Sequence, residues 1–438
     1  MKIGKYLRRL IVIALVGTPA ILAAQSTASS GITGDSTRTS QMEPYAMPPL
    51  LKMSPGVMQE LDTVEVALAM VPADPLLNGD PLGFITRPSD NGVSWLEKAS
   101  RLRLGATYTV INQYATETPP DVRHDQVSGR LDFNGNLAVY DGESTSGSIG
   151  LLARSGTNIG MSQQFNLSDA MGSGVFLNSL QGGGEQQPIT LNILYWRQDF
   201  LHKRLSIYVG KVHPNQHIGL SLYNDDETTQ FLNGVDNGNL TVPYAGAFAG
   251  GAAVEYQFTP HLYLHSVAVD TVGGPQDGIA TLVDKKYFEA TELGWFTGKP
   301  GSGFQSLRLA FWRDDTKDLG SGFGVGFGFD HEYRNGWAPL GRVGFATDTG
   351  GLIKRAASLG VTNIRPFGRR GDMFGVAMNY TEPNHTGRHH ESLFETFYRL
   401  RLTNSIEVGP DLQVTIHPTY AAKAYTSVLP SARMRIIF

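Results

Sequence analysis

From about residue 101 to the C-terminus the chain repeats one pattern. Roughly ten residues alternate apolar with polar or small side chains, and Gly, Pro, Asn or Asp closes each run. A period of two marks a strand with one apolar face. The alternation is cleanest over Leu102, Leu104, Ala106, Tyr108 and Val110, and over Leu307, Leu309 and Phe311. It is equally clear over Phe323, Val325, Phe327 and Phe329. The last strand sets Ala432, Met434, Ile436 and Phe438 on one face and Arg433 and Arg435 on the other. Sixteen strands are predicted: 101–113, 127–140, 146–155, 189–200, 204–212, 247–258, 261–272, 288–297, 304–313, 321–332, 338–347, 354–363, 372–381, 393–403, 411–418 and 429–438.

The connections sort by parity. Counted from the N-terminus, the even ones are short: 141–145, 201–203, 259–260, 298–303, 333–337, 364–371 and 404–410. The odd ones are longer, and 156–188 and 213–246 each exceed thirty residues. A barrel with both chain ends on one side of a membrane has short turns there and long loops on the other. A soluble sandwich has no reason to sort its loops this way, and a β-propeller requires repeats of about forty residues, which the chain lacks. The expected fold is all-β: a transmembrane antiparallel β-barrel of about 16 strands over 99–438, preceded by a short N-terminal periplasmic segment. After the first 24 residues no stretch approaches the ~20 apolar residues of a membrane helix.

The N-terminus fits export. Lys2, Lys5, Arg8 and Arg9 precede the apolar run Leu10–Val16, which Gly17 and Pro19 break, and small residues follow at Ala23-Ala24 and Ala28. This is the layout of a signal peptide, taken as 1–24, with cleavage after Ala24 or Ala28. Its removal takes away four cations and no acid, so the formal net charge falls from −4 to −8. An acidic exported chain is a poor nucleic-acid binder. With no cysteine, neither disulfides nor zinc–thiolate chemistry is available. Residues 25–98 read as a linker, with one short helix expected over Ser54–Leu68.

Barrel closure explains the abrupt aromatic ending. The last strand must pair with the first so that no backbone group is left open to lipid. Phe438 would complete that seam and act as the aromatic signal read by the barrel assembly machinery.

Several stretches resemble the carbohydrate-selective porins of Gram-negative bacteria, the OprB-type family. They are "ILYWRQ" at Ile193–Gln198, "IYVGKVHPN" at Ile207–Asn215, "DDETTQFLN" at Asp225–Asn233, "RPFGRRGDMFGVAMNY" at Arg365–Tyr380, "FETFYRLRLT" at Phe394–Thr403 and "VGPDLQVTIHPTY" at Val408–Tyr420. The terminal strand matches too, and the resemblance runs from about residue 76 to the end. Where the family often begins its barrel with Gly-Asp-Trp-Gly-Gly, this chain has Gly79-Asp80-Pro81-Leu82-Gly83 and no tryptophan. The resemblance implies a passive outer-membrane porin for carbohydrates, without catalysis or cofactor. The alternative is a porin of the same fold for another small, anionic solute such as a sugar acid or amino acid.

Strand parity names the lumen candidates. Arg130, Asp132 and Asn134 oppose Leu131 and Phe133, while Glu395, Arg399 and Arg401 oppose Phe394, Tyr398 and Leu400. Arg308, Asp330, Arg433 and Arg435 share the inward parity, as do Arg103 and Arg154. Guanidinium forks and carboxylates suit sugar hydroxyls, and Trp196, Trp312 or nearby tyrosines would offer faces to sugar C–H surfaces. Asp225, Asp226 and Glu227 lie in the long connection 213–246, which is expected to fold inward and set the constriction. Gly322, Gly324, Gly326 and Gly328 would form a bare wall for that loop. His385, His389 and His390 in "NHTGRHH" lie in an external loop and read as surface rather than as a metal site, so no metal is expected.

Overall fold

A computed structural model describes residues 74–438 except 159–164, 181–188, 239–247, 275–276, 278–280, 283–284, 299, 302, 316–321, 348–352 and 385–386. Over 87–94 it describes the backbone alone. The expected signal peptide and the helix expected over 54–68 lie outside the described residues.

Among the described residues, helix α1 (Gly83–Ser100) leads into sixteen strands, and a one-turn helix α2 (Leu167–Met171) lies between the third and fourth. The strands are β1 (Leu102–Tyr114), β2 (Asp125–Asp141), β3 (Ser146–Asn158), β4 (Thr190–Phe200), β5 (Leu205–Val212), β6 (Ala249–Thr259), β7 (Leu262–Asp270) and β8 (Tyr287–Thr297). The second half adds β9 (Gln305–Asp314), β10 (Gly322–His331), β11 (Trp337–Ala346), β12 (Ile353–Asn363), β13 (Met373–Pro383), β14 (Glu391–Arg401), β15 (Ile406–Ile416) and β16 (Thr426–Ile437). Each pairs antiparallel with its sequence neighbours, and β1 pairs with β16 to close the barrel. The sixteen-strand expectation holds, with most boundaries within two residues.

The faces sort as a transmembrane barrel requires. Along β9, Leu307, Leu309 and Phe311 are exposed on the outside, while Arg308, Ala310 and Trp312 are buried inside. Arg433 and Arg435 likewise point inward and are buried, and Met434 between them is exposed. The seam is sealed by the last residue: the Phe438 N–H donates to the Ala106 carbonyl at 3.0 Å.

Two differences from the sequence reading have physical causes. β15 starts at Ile406 rather than near 411, because Gly409-Pro410 stays in register with β16 instead of ending the strand. The ladder to β14 is interrupted between the Phe397–Asp411 and Leu400–Val408 pairs, so no proline N–H is needed on that side. A Cβ at Gly409 would lie 2.0 Å from the Tyr398 carbonyl oxygen, so the close approach requires glycine there. The second difference is α1, in a stretch read as linker because Pro88, Gly92 and three serines depress its helix propensity.

The segment before α1 is fastened to the rim at the end where the turns are short. Asp74 N–H donates to the Arg370 carbonyl at 2.8 Å, and Leu76 and Leu77 N–H donate to the carbonyls of Arg401 and Leu402. Asp74 also pairs with Arg370 at 2.8 Å.

Candidate channel lining and constriction

The described part of the long β5–β6 connection does not stand out from the barrel. Residues 213–238 lie inside it, held by wall side chains of opposite strands. The descent begins with a 3-10 turn at Pro214–Gln216, where His213 Nδ1 accepts from the Asn215 N–H at 3.0 Å. Ile218 then packs among Tyr208, Val212, Phe288, Ala310 and Trp312. Beside it, Gly219 lies with Gly326 and Gly328 around one small cavity, so the glycine face of β10 abuts the infolded loop. The space left by Gly328 also takes the Arg308 guanidinium, 3.2 Å from where a Cβ would sit.

The three consecutive acids of the loop point three ways. Asp225 pairs with Arg342 on β11 at 2.5 Å. Asp226 turns back into its own loop and accepts from the Thr228 N–H at 2.8 Å and its hydroxyl at 2.6 Å. Glu227 reaches the opposite wall, 2.7 Å from Arg130 on β2 and 3.9 Å from Arg154 on β3. Arg433 on β16 donates to the Glu227 carbonyl at 2.9 Å. The loop therefore bridges the lumen. Burial raises the Glu227 pKa, but Arg130 and Arg154 outweigh it and hold the carboxyl at about 2.

Other inward carboxylates act as moorings. Glu395 accepts from the Asn233 N–H at 3.1 Å, the Asn233 side chain at 2.8 Å and Gln413 at 2.7 Å. Asp236 of the loop accepts from Asn379 at 2.7 Å and from Ser358. Asp330 accepts from Ser221 at 2.6 Å and Ser306 at 3.0 Å, and pairs with Arg308. Arg342 holds the loop most fully, donating to the Asp236 and Gly238 carbonyls at 2.6 and 2.9 Å and to Asn224 at 3.1 Å.

Residues 165–180 of the β3–β4 connection are folded in as well, which the sequence reading did not foresee. Asn166 caps α2, and Gln126 on β2 accepts from the Leu167 N–H at 2.9 Å. Glu391 on β14 accepts from Ser173 at 2.6 Å and the Gly174 N–H at 2.8 Å. The two loops then pair through backbone bonds, Ser179 N–H to Leu232 O and Gly234 N–H to Phe176 O, both at 2.8 Å.

A second charge cluster sits towards the short-turn end. Arg401, Arg435 and Arg399 converge on Glu407 at 2.8, 3.0 and 3.9 Å. One carboxylate thus faces three guanidiniums, and a buried Arg435 Nη2 has no hydrogen-bond partner.

The candidates named from sequence thus divide. Arg308, Asp330, Glu395, Asp225 and Asp226 are buried in contacts that hold the loop. Arg130 and Asp132 are buried as a pair at 2.9 Å. Partial exposure on the inner face remains at Asn134, Arg154, Glu227 and Arg399, whose last three side chains are 21%, 14% and 12% exposed. Trp312 points inward but is buried in the apolar cluster. Trp196 is a correction. Its neighbours Tyr195 and Arg197 point inward, so Trp196 shares the outer face with Leu194, which is 42% exposed. The sequence reading missed Arg342, Glu391 and Glu407. Inward parity with Leu340 would have found Arg342, whereas Glu407 lay in a stretch read as a turn. Among the described residues no cluster of His, Asp and Glu is set to hold a metal ion, and His390 instead accepts or donates a 2.6 Å bond with Tyr380. His385 lies outside the described residues.

Comparison with known proteins agrees with this architecture. The structure superimposes on the high-pH structure of Pseudomonas putida OprB with a TM-score of 0.64 and 13% identity, covering 80% of this chain and 97% of that one. The low-pH structure of the same protein gives 0.51 at 14% identity, covering 81% and 98%. Among curated proteins, Porin AaxA of Chlamydia felis is 25% identical over 242 residues, 52% of this chain and 53% of the relative. Porin AaxA of Chlamydia abortus is 26% identical over 251 residues, 54% and 56% respectively. The chain spans about half the length of the curated relatives it matches. The profile described as carbohydrate-selective porin, OprB family, matches residues 150–277 and 310–438, which together make up more than half of the sequence. A closed sixteen-stranded barrel carrying that profile on both halves belongs to the OprB family of carbohydrate-selective porins.

Proposed function

We propose that the protein is a porin of the Gram-negative outer membrane through which carbohydrates diffuse passively and selectively. Monosaccharides or small oligosaccharides are the solutes, and the protein is no enzyme and carries no cofactor. The observation that carries this reading is the mooring of loop 213–238 across the lumen, with Glu227 facing Arg130 and Arg154. A loop held on both walls sets a fixed aperture, and fixed guanidinium and amide groups beside it exchange water for sugar hydroxyls with little reorganisation. Arg154, Arg399 and Asn134 are the lining groups with side-chain surface left for a solute. Each exchange must be weak, since a solute held tightly does not leave. Millimolar affinity, about −4 kcal/mol in total, is the expected scale.

The remaining roles follow from the same reading. Residues 1–24 direct export, Phe438 is the feature presented to the barrel assembly machinery, and the exposed apolar outer face meets outer-membrane lipid. The short-turn end is then periplasmic. One observation favours a second reading, in which the solute is anionic: three arginines surround the single carboxylate of Glu407. Single-channel recording in a planar bilayer separates the two. Block by neutral sugars at millimolar concentration supports the first reading. Block confined to sugar acids or amino acids supports the second.

A further inference from the structure

Helix α1 leaves an apolar stripe with no partner among the described residues. Phe84 is 75% exposed, Ile85 44% and Trp95 66%, far above the buried Gly83 and Thr86 beside them. At 100° per residue, Phe84, Trp95, Ala99, Ile85 and Leu96 fall within about 120° of arc. That is the width of one amphipathic face.

The opposite side of the helix is tied to the barrel at both ends. The Thr86 hydroxyl donates to Asp80 at 3.3 Å, and Asp80 in turn accepts from Ser405 in the β14–β15 turn. Glu97 pairs with Arg103, an inward-facing residue of β1, and the Arg101 carbonyl accepts from the Ala138 N–H of β2 at 3.1 Å. Thr86 and Glu97 lie on one face, about 16 Å apart along the axis. Two to three interstrand spacings, the step from that turn to β1, are about 10–14 Å. The helix therefore runs along the rim, with Glu97 towards the lumen and the apolar stripe turned away from it.

We propose that α1 is a membrane-interface anchor, its stripe seated among the phospholipids of the leaflet at the short-turn end of the barrel. Two observations choose lipid as the occupant. At that same end the outer face carries exposed aromatic side chains, Tyr140, Trp295 and Trp337, each between 38% and 39% exposed. Lys98, which is exposed, borders the stripe near its C-terminal end and offers a cation to lipid phosphates. Tryptophan on the apolar face with lysine at its edge is the composition of a helix lying in a membrane interface. The helix would fix the level of the barrel in the bilayer and hold the periplasmic mouth open beside it.

The chain has no cysteine, so single labels are clean. The full mature chain is placed in nanodiscs of phosphatidylethanolamine and phosphatidylglycerol, with bimane at Trp95→Cys, Ala99→Cys or Glu97→Cys. Heat-modifiable migration checks that each labelled barrel is folded. The expected result is at least twofold stronger quenching by a shallow lipid-borne nitroxide at 95 and 99 than at 97, with the order reversed for aqueous iodide. Equal access of iodide to all three positions would overturn the proposal, because the stripe would then face water. Protection of 95 and 99 from both quenchers would overturn it too, since protein, either residues 25–73 or a second copy, would then cover the face. Two labelled positions on the stripe keep the test decisive if one of them prevents folding.

Discussion

Arg342 makes the most hydrogen bonds to the infolded loop 213–238 of the wall residues described above, and its removal has a calculable consequence. Its side chain is 5% exposed and makes four bonds to the loop, one of them to the buried carboxylate of Asp225. Arg342→Ala leaves that carboxylate unpaired where water has little access. Breaking a buried pair from one side costs about 3–5 kcal/mol. At 1.4 kcal/mol per factor of ten, the loop shifts towards release by roughly 100-fold to several thousand-fold. The barrel wall does not depend on this residue, because backbone pairing on both sides of β11 is continuous. The variant should therefore assemble and show larger, noisier single-channel steps with weaker discrimination between sugars. Removing both charges, in Asp225→Asn with Arg342→Met, should disturb the loop less than Arg342→Ala alone, since no orphaned charge remains. If Arg342→Ala folds and conducts like the parent, or the double variant is the worse of the two, the mooring argument is wrong.

Other outcomes follow from the same geometry. Arg399→Ala should shift ion selectivity towards cations and weaken sugar block severalfold while expression holds, read by reversal potentials and block titrations. Arg401→Ala or Arg435→Ala should instead lower the yield of assembled barrel, because each is buried against Glu407. Deleting Phe438 removes the backbone bond to Ala106 and should reduce heat-modifiable protein in the membrane fraction far more than it reduces synthesis. For pH, the folded pKa of Glu227 is depressed from 4.5 to about 2, so its hold on Arg130 is complete above pH 4.5 and is lost as pH falls through about 2. Conductance should stay flat from neutrality to about pH 4 and rise only near pH 2–3; a step at pH 5–6 would contradict the assignment.

Much of the wall was legible because a barrel strand must alternate, and one slip in register would have reversed every side chain. Arg130, Arg308, Arg433 and Arg435 were placed inward by parity alone, and they do point inward. Parity says nothing about what an inward residue touches. Glu395 and Asp330 read as lining, yet they are capped by backbone and side chains of a loop more than a hundred residues away in sequence. Trp196 was misjudged because sugar chemistry was preferred to the alternation of Ile193, Tyr195 and Arg197, which sets it outside. The β3–β4 loop carries its inward determinants in Asn166, Ser173 and Gly174, residues common in any loop, and only Glu391 and Gln126 on the wall give them meaning. Gly409-Pro410 hid the start of β15, and with it Glu407, because two residue types that disfavour strand interiors here accommodate a close approach to Tyr398.

The most direct test of sugar selectivity is liposome swelling with the purified full-length protein, using neutral monosaccharides, sugar acids and amino acids matched in size. Neutral sugars should enter fastest, saturating at millimolar concentration, and Arg342→Ala should erase much of the difference between classes. Equal rates for all size-matched solutes, or uptake restricted to the charged ones, would contradict a carbohydrate-selective channel.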